Sequence, residues 1–245
     1  MNKADLRLDW CSHEAAKYAV EHWHYSRTMP IGKLVKIGVW ENGVFIGAVI
    51  FSTGASPQLH KTFSVTRFQV CELVRVALTS HRSAVSRIVS IALMFLRRSC
   101  PGLRLVVSFA DPEHRHHGGI YQAGNWVYCG RSSDGLYYRL ADGTVTHNRN
   151  LQGPEGFMGK PTVAAQAAFT KRLRDGIEAG SIVPIRTAPK FKYVMPLDAA
   201  MRAQIAPLAK PYPKCVRSLE NEAPGTTRRG RCDSDPDAPP SVVQL

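Results

Sequence analysis

The densest run of chemically capable side chains in this sequence is Ser108–Gly130, SFADPEHRHHGGIYQAGNWVYCG. It holds a carboxylate (Asp111), a phenol (Tyr121), a hydroxyl (Ser108) and three imidazoles (His114, His116, His117). A carboxylate and a phenol suit proton-transfer chemistry on a weak nucleophile: one accepts a proton, the other donates to a departing or charged atom. The run begins inside LRLVVSFAD, Leu103–Asp111, an apolar and β-branched stretch that reads as a buried strand. Its polar residues gather at the carboxyl end, where sheets of this kind open into a crevice for ligands. A Pro/His/Gly loop, a short helical GGIYQAG and a returning strand NWVYCG follow, an order that predicts Asp111 and Tyr121 at one cleft. The plainer reading of Tyr121 is an aromatic helix face packed under a sheet. The three histidines read either as a metal site or as a solvated loop.

A second polar-aromatic cluster, HWHYSRTMPIGK, lies near the N-terminus. Ser12 is placed to cap a helix over His13–Trp23, and Pro30 blocks its continuation. His24 and Tyr25 then either finish that helix or face the cleft as ligands or bases. Phe68–Thr79 reads as a strand carrying Glu72 and Arg75 among apolar neighbours. A buried charge is costly unless paired. Arg75 is therefore half of an ion pair with Glu72 or a functional cation at the strand end.

The elements that must position these groups are legible in outline. Leu34–Trp40 and Val44–Thr53 read as a hairpin around Glu41-Asn42-Gly43, and Gly54–Thr66 as an irregular loop. Ser83–Arg98 has apolar residues at helical spacing, with Ser83 as its cap. Ser132–Thr144 suggests a hairpin, Thr146–Pro161 a Gly/Asn-rich loop and Thr162–Ala179 an amphipathic helix. Lys190–Leu197, KFKYVMPL, reads as a final strand whose aromatic–basic alternation suits either a nucleic-acid-facing edge or an edge guarded by lysines. The fold expected is α+β: a single domain over residues 1–206 with a mixed, mostly antiparallel sheet flanked by helices, and a disordered tail over residues 207–245.

The chain has 245 residues and a net charge of +13. The segment from Pro207 onward carries six Lys/Arg and five Asp/Glu, so +12 belongs to the preceding body. A cationic folded body is what a protein facing phosphate backbones presents. The six cysteines form no C-x-x-C pair and read as reduced thiols. With no signal peptide or bilayer-length apolar run, a cytoplasmic protein is expected.

Gly119–Gly130 resembles the last helix-to-strand unit of the GNAT acyltransferases, with Tyr121 at the position of the tyrosine that protonates a departing thiolate. Asn125-Trp126 stands where Gly-Phe is usual there. The GNAT turn that cradles coenzyme A is glycine-rich; here it reads Ser80–Ser86, SHRSAVS, without glycine, leaving Arg82, Ser83 and Arg87 as candidate phosphate contacts. Taken together, His24-Tyr25 with SRTMPIGK, ELVRVAL, VVSFADP, GGIYQAGNWVYCG and PKFKYVMPLD resemble the Mom DNA-modification proteins of Mu-like phages over Trp23–Leu197. That resemblance implies addition of an acetamido (carbamoylmethyl) group to the N6 amine of adenine in phage DNA, protecting it from host restriction. It implies an acyl or aminoacyl donor, acetyl-coenzyme A among the choices, and a bound iron. It marks His24, Tyr25, Arg75, Ser108, Asp111 and Tyr121 as functional positions, of which His24, Tyr25, Asp111 and Tyr121 form a mixed N/O set for a transition ion.

The chemistry agrees. The N6 lone pair is delocalised into the purine, so the amine needs a base: Asp111, or His24 in its place. Tyr121 then serves as acid or stabiliser, and Arg75 holds an anionic part of donor or DNA. Double-stranded DNA must extrude the adenine, with Trp23, Trp126 and Tyr128 as stacking candidates. Two other readings stand beside this one: an ordinary acetyl-coenzyme A-dependent N-acetyltransferase acting on a protein or small amine, and a non-enzymatic basic DNA-binding protein. Oligomeric state is open, a homodimer included.

Overall fold

A computed structural model describes residues 5–30, 32–54, 58–133, 135–147, 151 and 162–213. The chain divides into two compact units, residues 1–131 with 191–245, and residues 132–190. Both lie largely within the stretch expected as one domain. Local sequence pattern marks no boundary at Ser132, because a hairpin reads the same whether it extends a sheet or starts another.

The larger unit is built on a seven-stranded sheet of order β1-β2-β3-β4-β5-β10-β6. Its strands are β1 (Leu6–Trp10), β2 (Leu34–Glu41), β3 (Val44–Ser52), β4 (Val70–Leu78), β5 (Leu105–Ala110), β6 (Val127–Arg131) and β10 (Phe191–Pro196). Every neighbouring pair is antiparallel except β4 with β5, which are parallel. A parallel pair needs a long crossover, and here α3 (Val85–Ser99) supplies it. This is the mixed, mostly antiparallel α+β architecture the GNAT resemblance implies. Strand β1 was not legible, since LRLDW alternates weakly and gains its partner only from β2.

Helices cover both faces. Ile88, Val89, Leu93 and Leu96 of α3 pack with Val49, Phe51, Leu73, Val106 and Tyr121 on one side. Each such side chain contributes about 1.5–3 kcal/mol on burial. The other face takes Ala16, Ala19 and Val20 of α1 (His13–Trp23), together with Leu59 of α2 (Leu59–Thr62) and Met201 and Ile205 of α6 (Ala199–Ile205). Small alanines at the α1 contact let helix and sheet approach closely. Ser12 caps α1 as expected, its Oγ accepting from the Ala15 N–H at 3.1 Å. Ser83 does not cap α3: Ala84 occupies that position, with no side-chain hydrogen bond.

Strand β10 is a correction to both readings of KFKYVMPL. It is no edge but lies between β5 and β6, with Tyr193 and Val194 fully buried. On this side of the sheet the edge is β6. Part of the expected tail is also ordered: the Lys210 N–H donates to the Tyr128 carbonyl at 2.8 Å, and the Tyr212 hydroxyl to the Trp126 carbonyl at 2.7 Å. Those bonds lay residues 209–212 along β6. The rest of the expected tail, from residue 214, lies outside the described residues.

The smaller unit holds a three-stranded antiparallel sheet, β8-β7-β9, of β7 (Gly135–Leu140), β8 (Val145–His147) and β9 (Ile182–Thr187). The hairpin expected over Ser132–Thr144 is found as β7 and β8, its second strand lying just past Thr144. Helix α5 (Val163–Glu178) is capped by Thr162 and buries none of its residues. Most of the loop expected over Thr146–Pro161 lies outside the described residues.

Candidate functional site at the carboxyl end of strand β5

Strand β5 positions two of the predicted groups. Ser108 is buried within it, its Oγ 2.8 Å from both the Leu73 carbonyl oxygen and the Tyr121 phenol oxygen. The carbonyl only accepts, so the single serine proton goes to Leu73 and the phenol donates to Ser108. Tyr121 lies on α4 (Gly119–Ala123), its ring 5.0 Å from Trp126 and 5.1 Å from Tyr193. The two readings of Tyr121 therefore combine: its ring is core and its hydroxyl meets a predicted site residue.

Asp111 follows β5 directly, with a side chain 9% exposed. It caps the turn Pro112–His114, one carboxylate oxygen accepting from the Glu113 N–H at 3.1 Å and the other 3.6 Å from His114 Nδ1. Arg115 then takes a left-handed conformation (φ 60°). That reversal turns the chain between His114 and His116, and both rings meet Tyr25, at 4.2 Å and 5.4 Å. Tyr25 is 44% exposed and lies 4.3 Å from the His24 ring. His24, Tyr25, His114 and the Asp111 carboxylate are thereby brought together from segments about ninety residues apart in the chain.

His24 is buried, and its Nδ1 accepts from the Ser26 N–H at 3.1 Å and lies 2.8 Å from the Ser26 hydroxyl. The ring proton therefore sits on Nε2. Burial, reinforced by the positive charges of Arg75, His116 and His114, pushes its pKa down to about 3. His24 is neutral at physiological pH and too weak a base for efficient proton abstraction. Arg75 reaches the Thr28 carbonyl through Nε and Nη2 at 3.4 Å and 3.3 Å, and the Val74 carbonyl through Nη1 at 2.7 Å. It thus ties the segment after α1 to β4.

Several expectations change. The histidine trio lies on an exposed to half-buried loop, but His114 and His116 pack on Tyr25, while the His117 carbonyl accepts from the Tyr193 hydroxyl at 2.6 Å. Their i, i+2 spacing around an arginine carried no signal of the left-handed turn. Among the described residues, no group of three or more His, Cys, Asp or Glu side chains is assembled for a metal ion. Of the set named for a transition ion, His24, Tyr25 and Asp111 lie in one cluster, with His24 Nδ1 held by Ser26, while the Tyr121 hydroxyl is on Ser108. Of the stacking candidates, Trp126 and Tyr128 are 1% and 8% exposed, and Trp23 packs against Tyr18 and Phe45. Trp126 and Tyr128 line a groove of about 610 Å³ at the β6 edge with Arg202, Lys210 and Tyr212; none of the acid–base candidates lines it.

Of the phosphate contacts expected at the start of α3, the backbone amides of Arg82 and Ser83 are engaged internally. The Arg82 and Ser83 N–H groups donate to the two oxygens of Glu41, at 2.8 Å and 2.9 Å.

Comparison with known proteins follows the same lines. The methylcarbamoylase mom of Escherichia phage Mu is 28% identical over 147 residues, 58% of this chain and 60% of that protein. The chain thus aligns with about three fifths of the length of that relative. Among solved structures, FeeM, an N-acyl amino acid synthase from uncultured soil microbes, superposes with a TM-score of 0.43 at 10% identity, covering 83% of this chain and 97% of that one. Residues 5–214 match the Mom protein family, the whole of both clusters and the sheet between them, and the chain belongs to that family.

Proposed function

We propose that this protein is a transferase that modifies the exocyclic N6 amine of adenine in DNA and so shields that DNA from restriction cleavage. One observation carries the reading: in a Mom-family chain, Asp111, His114 and Tyr25 are packed together at the carboxyl end of β5. The charge of the body supports it.

The phage Mu relative is named a methylcarbamoylase. A methylcarbamoyl group is an isomer of the carbamoylmethyl group that the sequence resemblance implies. For the former, N6 attacks the donor's carbonyl carbon, the N–C bond forms, and the bond from that carbon to the leaving group breaks. The amine proton passes to Asp111, and the leaving group takes a proton from Tyr121, whose hydroxyl turns from Ser108 to give it. Arg75 faces the anionic part of donor or DNA. His24, neutral and protonated at Nε2, serves as a hydrogen-bond donor in place of the base first considered. An adenine reached this way must leave the duplex, and the half-exposed Tyr25 ring, flanked by His114, is the stacking surface.

The test is nucleoside mass spectrometry on plasmid DNA from cells expressing the wild-type chain or Asp111→Ala. A heavier adenine nucleoside in the wild type alone is expected. Fragmentation must separate the two isomers, whose masses are the same. No heavier nucleoside in the wild type removes the proposal, and acetyl-coenzyme A turnover without DNA would favour an ordinary N-acetyltransferase.

A further inference from the structure

We propose that Glu41 is a built-in anion filling the phosphate seat at the start of α3, so that the group donor is not held there through a diphosphate. A helix N-terminus offers backbone N–H groups and a favourable dipole to an anion. In this chain both oxygens of one carboxylate take the N–H groups of the two residues that lead into the cap Ala84, Oε2 from Arg82 and Oε1 from Ser83. That two-point grip is how a phosphate would be held.

The carboxylate is well anchored. Glu41 closes β2 just before the Asn42-Gly43 turn and is 7% exposed. Burial opposes its ionisation, but the bonds from Arg82 and Ser83 outweigh that and hold its pKa below the ordinary value. Ala84, at the cap position, has no oxygen to offer, and the Ser83 hydroxyl is buried beside it without a well-formed hydrogen bond. A carboxylate from a strand about forty residues earlier in the chain therefore holds the turn that leads into the helix. A diphosphate arriving here would meet like charge and find both donors taken. It would bind only by expelling Glu41 and stranding a buried carboxylate. The absence of glycine from Ser80–Ser86 agrees, since no close backbone approach to a ligand is being made room for.

This inference concerns the donor alone, and its test needs no DNA, so its failure leaves the proposed substrate standing. Coenzyme A and inorganic diphosphate are titrated separately into the ¹⁵N-labelled wild-type chain and Glu41→Ala, following the Arg82 and Ser83 amide resonances. In the wild type the two resonances stay in place up to millimolar ligand, including when coenzyme A binds elsewhere. In Glu41→Ala both shift saturably, with at least tenfold tighter diphosphate binding. Saturable movement of the two resonances in the wild type overturns the proposal, as does a folded Glu41→Ala that gains no affinity. If that variant does not fold, the wild-type titration decides alone.

Discussion

His24 converts burial into a pH response. Its folded pKa is near 3 and its unfolded value 6.5, so between these the unfolded chain takes a proton that the folded chain refuses. Stability is unaffected by this group above about pH 6.5 and falls steadily below it. The loss reaches about 2 kcal/mol at pH 5. Urea unfolding at about pH 7 and about pH 5 should show a wild-type midpoint that drops with acid and a flatter response in His24→Asn. The residue at the reaction centre behaves otherwise. Asp111→Asn, close in shape, should cut adenine modification at least about 100-fold while the chain stays folded, as expected for loss of a proton acceptor. Residue types were legible at this scale, and both clusters were found from their side chains alone. Their meeting was not, because the ring contacts of Tyr25 depend on the left-handed turn at Arg115, which an arginine does not advertise.

The element that matters most to the site is the loop from Asp111 to α4, and it is pinned from β10. The Tyr193 hydroxyl donates to the His117 carbonyl at 2.6 Å and accepts from Gln122 Nε2 at 3.0 Å. Burial pushes its pKa up to about 12, so it stays a donor at every working pH. Gly118, at φ +85°, packs against the same ring, where a Cβ would collide with it. Gly118→Ala should therefore destabilise the protein by at least about 2 kcal/mol, from overpacking added to an unfavourable φ. Tyr193→Phe removes the shorter of two donors to the His117 carbonyl, leaving the Gln122 amide at 3.3 Å, and should cost about 1 kcal/mol. Its modified-adenine yield should fall with the lowered melting temperature, and denaturant melts beside nucleoside analysis check both. Most strand and helix boundaries were readable from local pattern. The place of β10 was not: its lysines suggested an edge, whereas its neighbours β5 and β6 come from a stretch sixty or more residues earlier. Lys192 is accommodated near the Phe63 ring, at 5.9 Å.

At the scale of the molecule, charge governs the encounter with substrate. With +12 in the body, DNA binding should weaken at least about tenfold between roughly 50 mM and 200 mM salt, measured by fluorescence anisotropy on a short duplex. Asp111→Ala should keep that salt slope, since removing one carboxylate from the site takes away no phosphate contact. Composition made this property visible at once. It left the division into two units unseen, because the contacts that separate residues 132–190 from the rest are set by strand pairing and not by any linker-like stretch. The outer margin of the large sheet carries a further consequence. β6 exposes one flank of backbone groups, and residues 209–212 lie across it through Lys210 and Tyr212. Truncation after Pro213 should give a well-behaved monodisperse protein. Stopping at Ile205 would bare a sticky rim able to recruit strands from other molecules, and light scattering should then record growing assemblies.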